Sequence, residues 1–312
     1  MINRFMLRMQ SGESYVFETE CLAVTLEREA YTPYTQVTAS FLSQGQEYGN
    51  VTSIQLYHRN YRIFMGLVDS IRQYCRDGRA FVQVKSRSFT SVLAQNEIVP
   101  GMHFDMTIGR LMTGFYTFPN VYYEDYAGSG YIFVKDGASI WDSIVNFGYK
   151  LSGHYPYIHM NTVRLTPHDS PKLTAPDSSQ VLEYGEVQDM TKIVSMYHMA
   201  DIEDHYDAYR LENPVAAASE IVRHKQIRMD KQYLSEPEQA LQFRNLFSQR
   251  GWRARYVVYN GFANEEICDR VSFGEFLPES SICRVQMTFG SNGLRTKLWA
   301  YDDGFYHIGR AQ

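Results

Sequence analysis

The most concentrated group of possible metal ligands lies between residues 198 and 205. His198, Asp201 and His205 supply two imidazoles and one carboxylate, the groups that bind zinc and other transition metals. Their spacing matches neither a standard helical pair nor a standard strand pair, and no second cluster completes a site. The pattern therefore favours a solvated loop or strand edge over a metal centre.

Three further histidines, His154, His159 and His168, are also close in sequence. His159 falls in a predicted strand and His168 in a predicted linker, so we expect their side chains to diverge. The sequence thus predicts no metal ion, and it contains no motif that would hold a cofactor.

Glycoside hydrolysis requires two carboxyl groups that face each other across a cleft. Asp125, Asp136, Glu183 and Glu186 are available, but the sequence cannot pair them, and isolated acids of this kind are usually solvated surface. A hydrolase that acts on cell walls or polysaccharides therefore remains an alternative without a defined catalytic pair.

The four cysteines are Cys21, Cys75, Cys268 and Cys283. They form no C-x-x-C motif and are too few for a disulfide framework in a chain of this length, so we expect folding in a reducing cytosol. Cys21 and Cys75 lie in or beside strand-like sequence without a basic partner, which predicts inert thiols rather than nucleophiles.

A tyrosine-rich loop at 122–126 could stack against sugars or bases, although such loops more often pack against a neighbouring subunit. The first possibility would suit a carbohydrate receptor-binding protein. Elsewhere the sequence has no P-loop, no G-x-G-x-x-G, no G-x-S-x-G and no H-E-x-x-H. We therefore predict a protein that is not an enzyme and has no catalytic residues.

The chain of 312 residues is long enough for two or three domains. Its 24 Tyr and 18 Phe favour strands and large buried partner surfaces. A net charge of -5 without a basic cluster argues against sequence-specific nucleic-acid binding. No stretch reaches about 18 uncharged apolar residues, so we expect no membrane span, and we recognise no signal peptide.

The elements that would position these residues follow from hydrophobic periodicity. Alternation of apolar and polar residues predicts strands at 36–41, 54–58 and 79–85, with a hairpin turn at Asp77-Gly78. A short helix-like segment follows at about 90–96.

The middle of the chain is mixed. It carries a short predicted helix at 107–115 and a longer helix capped by Ser139, with Asp142 at its third position. A hairpin follows at 155–165, and the polar run 169–176 looks like a linker.

The last part returns to strands, with one helix in their midst. Ser235 and Glu238 form a predicted capping box, Pro237 falls in the first turn, and Gly251 is a plausible end. A hairpin at 285–301 turns through the Asn292-Gly293 pair.

These patterns divide the chain into three predicted domains: 1–100, 101–175 and 176–312, the last with a helix at about 236–250. The layout is β-rich, then α+β, then β-rich again. The two outer parts have similar predicted architecture, but the sequence shows no internal repeat.

The order of the pieces resembles a known family. Residues 63–70 (Ile-Phe-Met-Gly-Leu-Val-Asp-Ser), the turn at Asp77-Gly78 and residues 81–93 are similar to the first barrel of late-control-protein-D-like tail hub proteins. These proteins belong to contractile phages, R-type bacteriocins and related injection systems. In that family a strand with a G-x-[IV]-[DT] core pairs with a strand that ends in a Gly-Arg-Ser-like turn. Here 85–88 (Lys-Ser-Arg-Ser) stands where that Gly is usual.

The rest of the chain also resembles the family in outline. Residues 135–142 open a helix that leads to the hairpin 157–165, as in the family's helix–hairpin module. The helix entered at 235–240, the loop around Pro278 and the final hairpin resemble its second barrel. The resemblance therefore implies a mainly β fold with an α+β insertion, in which two tube-like β-barrel domains flank a helix–hairpin α+β domain.

The same resemblance implies a function. It implies a trimer in which two barrels from each chain form a ring of six barrels. Such a ring adapts a sixfold tail tube to a threefold spike. The expected partners are two further copies of this chain, a tail tube protein, a central spike, other baseplate proteins and a tape measure protein. The expected location is the baseplate of a released particle after assembly in the host cytoplasm. A mildly acidic chain also suits a channel that must not hold DNA tightly.

Overall fold

The computed structural model describes residues 4–167, 169–229, 231–234 and 236–302. Strands predominate among these residues, and the predicted mainly β class is confirmed. Across the described ranges, every helix is too short or too polar to traverse a lipid bilayer.

The first part of the chain forms seven strands because apolar and polar residues alternate along it. These are β1 (Phe5–Ser11), β2 (Ser14–Glu20), β3 (Ala23–Glu29), β4 (Gln36–Leu42), β5 (Ser53–His58), β6 (Tyr61–Arg76) and β7 (Arg79–Ser88). The three strands predicted here correspond to β4, β5 and β7. Asp77 and Gly78 both have the positive φ that the predicted turn requires.

The middle part begins with a 3₁₀ helix at Phe89–Ala94. Its other elements are β8 (Gly101–Met106), α1 (Ile108–Thr113), β9 (Tyr122–Tyr123), β10 (Gly130–Val134), α2 (Ile140–Ser152), β11 (Tyr157–His159), β12 (Thr162–Arg164) and β13 (Leu173–Thr174). At the start of α2 the Ser139 hydroxyl accepts a hydrogen bond from the Asp142 amide at 3.1 Å. The Asp142 carboxylate accepts one from the Ser139 amide at 2.9 Å, which confirms the predicted cap.

The last part contains the remaining elements. They are β14 (Val181–Gln188), β15 (Met196–Met199), β16 (Tyr209–Glu212), α3 (Pro214–Ala218), β17 (His224–Ile227), a 3₁₀ helix (Lys231–Tyr233), α4 (Pro237–Gln249), β18 (Arg253–Asn260), β19 (Arg270–Phe273), β20 (Leu277–Ser281), β21 (Arg284–Gly290) and β22 (Gly293–Tyr301). Pro237 begins α4, and Gly251 adopts a positive φ just after its end, both as predicted. Ser235, the predicted cap, lies outside the described residues, and Glu236 occupies the N-cap position.

The predicted linker at 169–176 contains a short strand. β13 pairs in parallel with β19, far along the chain. The Lys172 amide donates to the Asp269 carboxylate at 3.0 Å, and the Lys172 carbonyl accepts from the Arg270 amide at 2.7 Å. These long-range bonds hold a segment whose local composition indicated only a loop.

Strands from both ends of the chain form one sheet of eleven strands, in the order β14-β18-β22-β21-β3-β4-β7-β6-β5-β1-β2. None of the sheets in the described residues closes on itself. The predicted arrangement of two tube-like barrels is therefore not confirmed: the two ends are joined edge to edge in an open sheet. The reason is the antiparallel pairing of β21 with β3, which continues one set of strands into the other.

The middle part shares its hydrophobic core with α4. Ile144 and Phe147 of α2 lie in the same buried cluster as Ala240 and Leu241 of α4. The remaining large clusters lie under the strands of the first part and under those of the last part. The helix thus packs with the middle of the chain, although it stands between two strands of the large sheet in sequence.

A buried ion pair ties the first and last parts of the chain together. Arg28 of β3 and Glu266, which follows β18, are each 4% exposed, and their side chains meet at 2.9 Å. Arg28 also donates to the carbonyl of Ile63 at 3.0 Å and to the carbonyl of Glu265. Burial raises the pKa of Glu266 to about 7, while the Arg28 charge lowers it.

Candidate assembly site

The possible metal ligands separate in the structure. His205 contacts Asp201, with the imidazole nitrogen 3.1 Å from the carboxylate. His198 instead contacts Asp207 and, through its other ring nitrogen at 3.1 Å, His224. In the part of the chain that the structure describes, no three His, Cys, Asp or Glu side chains are arranged so that they could hold a metal ion.

The other histidines occupy separate elements. His154 follows the end of α2 and His159 ends β11, whereas His168 lies outside the described residues. Tyr155 and Tyr157, which lie between His154 and His159 in sequence, are both buried.

The candidate acids belong to two different regions. Asp125 and Asp136 are exposed in loops of the middle part. Glu183 and Glu186 both lie on β14, where Glu183 accepts a hydrogen bond from the Tyr256 hydroxyl at 2.5 Å and Glu186 contacts the guanidinium of Arg255 at 2.9 Å. These contacts hold the two glutamates along the edge of the sheet.

The structure shows where the candidate cysteines and the tyrosine-rich loop lie and how exposed they are. Cys21 is buried, and burial raises the pKa of its thiol to about 12, so the thiolate is strongly disfavoured. Cys75 is exposed on β6. Tyr122 and Tyr123 form β9, which pairs with β12 and leaves both rings exposed.

Two groups of four strands have the same order within the large sheet. The first strand group is β3-β4-β7-β6, and the last strand group is β14-β18-β22-β21. In each, the strands lie in the sequence order first, second, fourth, third, and every neighbouring pair is antiparallel. This common order is a structural similarity between the two ends of a chain that has no sequence repeat.

The third strand of the first group has a free edge over part of its length. β6 pairs with β5 as far as Leu67. Over 69–76 it pairs with β7 alone among the described residues. A bulge between Val68 and Ser70 separates the two halves, and a bulge of this kind bends a strand away from its neighbour.

Two contacts fix the strand at this bulge. A Cβ atom on Gly66 would lie 2.1 Å from the carbonyl oxygen of Arg87, so only glycine permits the close approach of β6 to β7. The guanidinium of Arg87 then donates to both carboxylate oxygens of Asp69, at 2.8 and 2.7 Å. Residues 66–69, which resemble a family motif, thus serve to shape this edge.

β14 forms one end of the large sheet. It is eight residues long, the same length as the free part of β6, and β18 is its only strand neighbour within the described ranges. Leu182, Tyr184 and Val187 are 47%, 54% and 43% exposed. Proteins usually protect such an apolar edge, because its unpaired backbone groups attract other strands.

The junction inside the chain shows how such edges pair. β21, the third strand of the last group, is antiparallel to β3, the first strand of the first group. Arg284 lies opposite Glu29 in this pairing. Gln286 donates to the Glu27 carboxylate at 2.7 Å. A basic or amide-bearing third strand therefore meets an acidic first strand.

The free edges repeat this distribution of charge. The free part of β6, again a third strand, carries Arg72 and Arg76 and one acid, Asp69, which is paired with Arg87. β14, again a first strand, carries Glu183 and Glu186 and no basic residue. Sequence patterns revealed four of the eight strands in these groups, β4, β7, β21 and β22. They did not reveal the free edges, because an edge is defined by long-range pairing.

Comparisons with known proteins agree with this architecture. No protein-family model matches the sequence, and no curated protein matches it. Among solved structures, a tail protein from Neisseria meningitidis MC58 is similar over 98% of both chains, with 12% identity and a TM-score of 0.73.

Two further structures extend the comparison. The 43 kDa tail protein of prophage MuSo2 from Shewanella oneidensis has 11% identity and a TM-score of 0.70, over 98% of this chain and all of that one. An E. coli component of the type VI secretion system has 6% identity and a TM-score of 0.59, over 97% of this chain and 79% of its own. The chain described here therefore has the fold of phage tail proteins.

Proposed function

We propose that this chain is a non-catalytic structural subunit of a phage-type tail baseplate, and that three copies form a ring. The observation that carries this proposal is the pair of free edges. They are equal in length, opposite in predominant charge, and placed at the two positions where the strand order would continue into another copy.

In the proposed ring, the free part of β6 in one copy pairs antiparallel with β14 of the next, as β21 pairs with β3 inside each chain. Head-to-tail contacts of this kind close into a ring when the rotation per subunit divides a full turn. Ring closure leaves neither edge unpaired, which removes the aggregation hazard of β14. Three chains with two strand groups each give six similar positions around the axis.

This arrangement would adapt a sixfold tail tube to a threefold spike. The proposed partners are the tube protein on one side, the spike on the other, and other baseplate proteins and a tape measure protein around or within the ring. The proposed location is the tail baseplate after assembly in the host cytoplasm. The similarity to the tail proteins above supports this setting through the fold.

The three-part division 1–100, 101–175 and 176–312 is retained within this proposal. The outer parts supply the strand groups of the ring, and the buried pair Arg28–Glu266 joins these two parts to each other.

The test is the oligomeric mass of the purified chain by native mass spectrometry. We expect the wild-type chain to form a trimer. The double substitution Leu182→Lys and Val187→Lys places two charges on the free strand and should leave a folded monomer. Ile202→Lys is the matched control, because Ile202 is 81% exposed but lies in a loop after β15.

The control substitution should leave the trimer intact. Circular dichroism of all three proteins shows whether each is folded. A wild-type chain that stays monomeric at the highest attainable concentration, or a trimer that survives the double substitution, would contradict the proposed ring.

A further inference from the structure

A groove of about 720 Å³ runs beside α4, outside the large sheet. One wall is α4, which packs against β15 and β16 of the small sheet β16-β15-β17. The other wall is β17, the edge strand that α4 leaves uncovered. The groove therefore belongs to the segment that connects the first and second strands of the last group.

The floor of the groove is apolar. It is formed by five side chains from three elements and the loop before them, namely Val194, Tyr197, Ile227, Phe243 and Phe247. Ile227, Phe243 and Phe247 remain partly exposed. Partly exposed aromatic rings in a concave surface are typical of a site that buries an apolar side chain of a ligand.

The rim of the groove is basic. Its five cationic side chains are Lys192, Arg223, Lys225, Arg244 and Arg250, and no aspartate or glutamate lines it. Lys192, Arg223, Lys225 and Arg250 form no ion pair with any carboxylate in the described part of the chain. The protein as a whole carries a net charge of -5, so this concentration of positive charge is local.

Two of these cations are held in place over the groove. Arg223 donates to the carbonyl oxygens of Met190 and Ile193, the second at 3.1 Å. Arg250 stacks on Phe247, with its guanidinium carbon 3.6 Å from the ring centroid. Fixed charges lose less conformational entropy when a ligand binds than freely moving ones, which favours recognition.

The edge of β17 offers backbone groups to the same ligand. β17 pairs in parallel with β15, and its other side has no strand partner among the residues described. Lys225 and Ile227 are two positions apart on β17, so their side chains lie on the same face of the strand, and both line the groove. An extended peptide could therefore add to this edge as a strand while its side chains reach the apolar floor.

We infer that this groove binds an acidic peptide segment of another protein, in extended form, with at least one aromatic or large aliphatic residue between its carboxylates. The carboxylates meet the basic rim, and the apolar residue contacts Phe243 and Phe247. The apolar floor favours a peptide over a nucleic acid, which would need a continuous basic surface for its phosphates. This inference does not depend on ring formation.

The test measures binding of three fluorescent probes to the full chain by polarisation. The first probe is a twelve-residue peptide in which aspartate and glutamate alternate with Phe and Leu. The second has the same charge but serine in place of each apolar residue, and the third is single-stranded DNA of equal charge. We expect the first probe to bind at least about tenfold more tightly than the others, and less tightly as salt rises.

Substitutions localise the site. Lys225→Glu should weaken binding of the first probe about tenfold or more, because it reverses one charge of the rim. Arg228→Glu changes the net charge equally but lies outside the groove, and it should leave binding unchanged. Both residues are exposed, so neither change should affect folding.

Several results would overturn the inference. Equal binding of the serine peptide or of DNA would show a nonspecific cationic surface. No binding of the first probe, or unchanged binding after Lys225→Glu, would place the ligand elsewhere. A shortened chain that ends at Asp302 and binds the probe when the full chain does not would show that the chain's own last residues occupy the groove.

Discussion

The two strand groups share one strand order but differ in what connects their strands. In the first group, β3 leads to β4 through a short turn at 30–35. In the last group, the equivalent connection from β14 to β18 spans 189–252 and holds β15, β16, α3, β17 and α4. The strand order thus permits connections of very different length between the first and second strands of a group. The longer of the two connections carries the basic groove.

The third strands differ as well. β21 has seven residues, of which all seven pair with β22 and six pair with β3. β6 has 16 residues, of which the first half pairs with β5 and the second half leaves an edge free. The third strand of the last group is therefore paired on both sides, whereas the third strand of the first group is unpaired on one side over half its length. Substitutions in the two groups measure how strongly each strand is held.

The largest effect is expected at the junction between the groups. Arg28→Met removes one partner of a buried ion pair and leaves the Glu266 carboxylate without its positive charge. We expect the free energy of unfolding at pH 8 to fall by about 3–5 kcal/mol. Urea unfolding followed by circular dichroism measures this loss.

The pH dependence of that loss identifies its cause. Burial raises the pKa of Glu266 to about 7 in the folded state. Removing Arg28 raises this pKa further, so the folded variant holds its proton more tightly than the folded wild type. The difference in stability should therefore be smallest near pH 5, where Glu266 is protonated in both folded proteins, and should grow as pH rises through 7. A difference that does not change with pH would show that lost packing, rather than charge, is responsible.

A slightly smaller loss of stability is expected from a substitution on β6 just before its free part. Gly66→Ala places a Cβ atom 2.1 Å from the Arg87 carbonyl oxygen, and β6 must move away from β7. We expect a loss of about 3 kcal/mol in the free energy of unfolding.

Gly290→Ala is the matched control on the third strand of the other group. Its new Cβ atom would meet Ala23 at 4.0 Å, an ordinary contact. Thermal unfolding of both variants should show a large decrease in Tm for the first and little change for the second. Equal decreases would mean that the two third strands are equally constrained.

The smallest effect is expected from the ion pairs at the two free edges. Asp69→Asn weakens a two-point contact with Arg87 whose side chains are 34% and 23% exposed. Solvent screening limits the expected loss to roughly 1 kcal/mol. Glu186→Gln disrupts the corresponding contact of β14 with Arg255, where the side chains are 44% and 31% exposed.

The second substitution should cost about half as much or less, because its partners are more exposed. Parallel urea titrations measure the two losses. A larger cost for Glu186→Gln would indicate that β14, rather than the bulge in β6, is the more tightly fixed edge.

Local patterns in the sequence were sufficient for many elements. Alternation identified β4, β5 and β7, and the Ser139–Asp142 pair identified the start of α2. These signals succeed because they depend on residues a few positions apart. The sequence spacing also predicted that His198 and His205 would not share a site, and in the structure the two side chains contact different carboxylates.

Contacts between distant residues were beyond such patterns. The pairing of β21 with β3 joins residues more than 250 positions apart, as the Gln286–Glu27 hydrogen bond shows. The two ends were therefore predicted as separate barrels rather than one sheet. For the same reason the sequence indicated neither the strand at 173–174 nor the free edges, since each depends on which strand is its neighbour.

Because β21 and β3 belong to the same chain, their pairing has an entropic consequence for the proposed assembly. In a ring of six similar strand groups, three of the six junctions are then intramolecular and form when the chain folds. Only three junctions require separate molecules to meet, and each such encounter loses translational and rotational freedom worth about 4–15 kcal/mol. Duplicated strand order in one chain would thus lower the concentration at which the proposed ring forms.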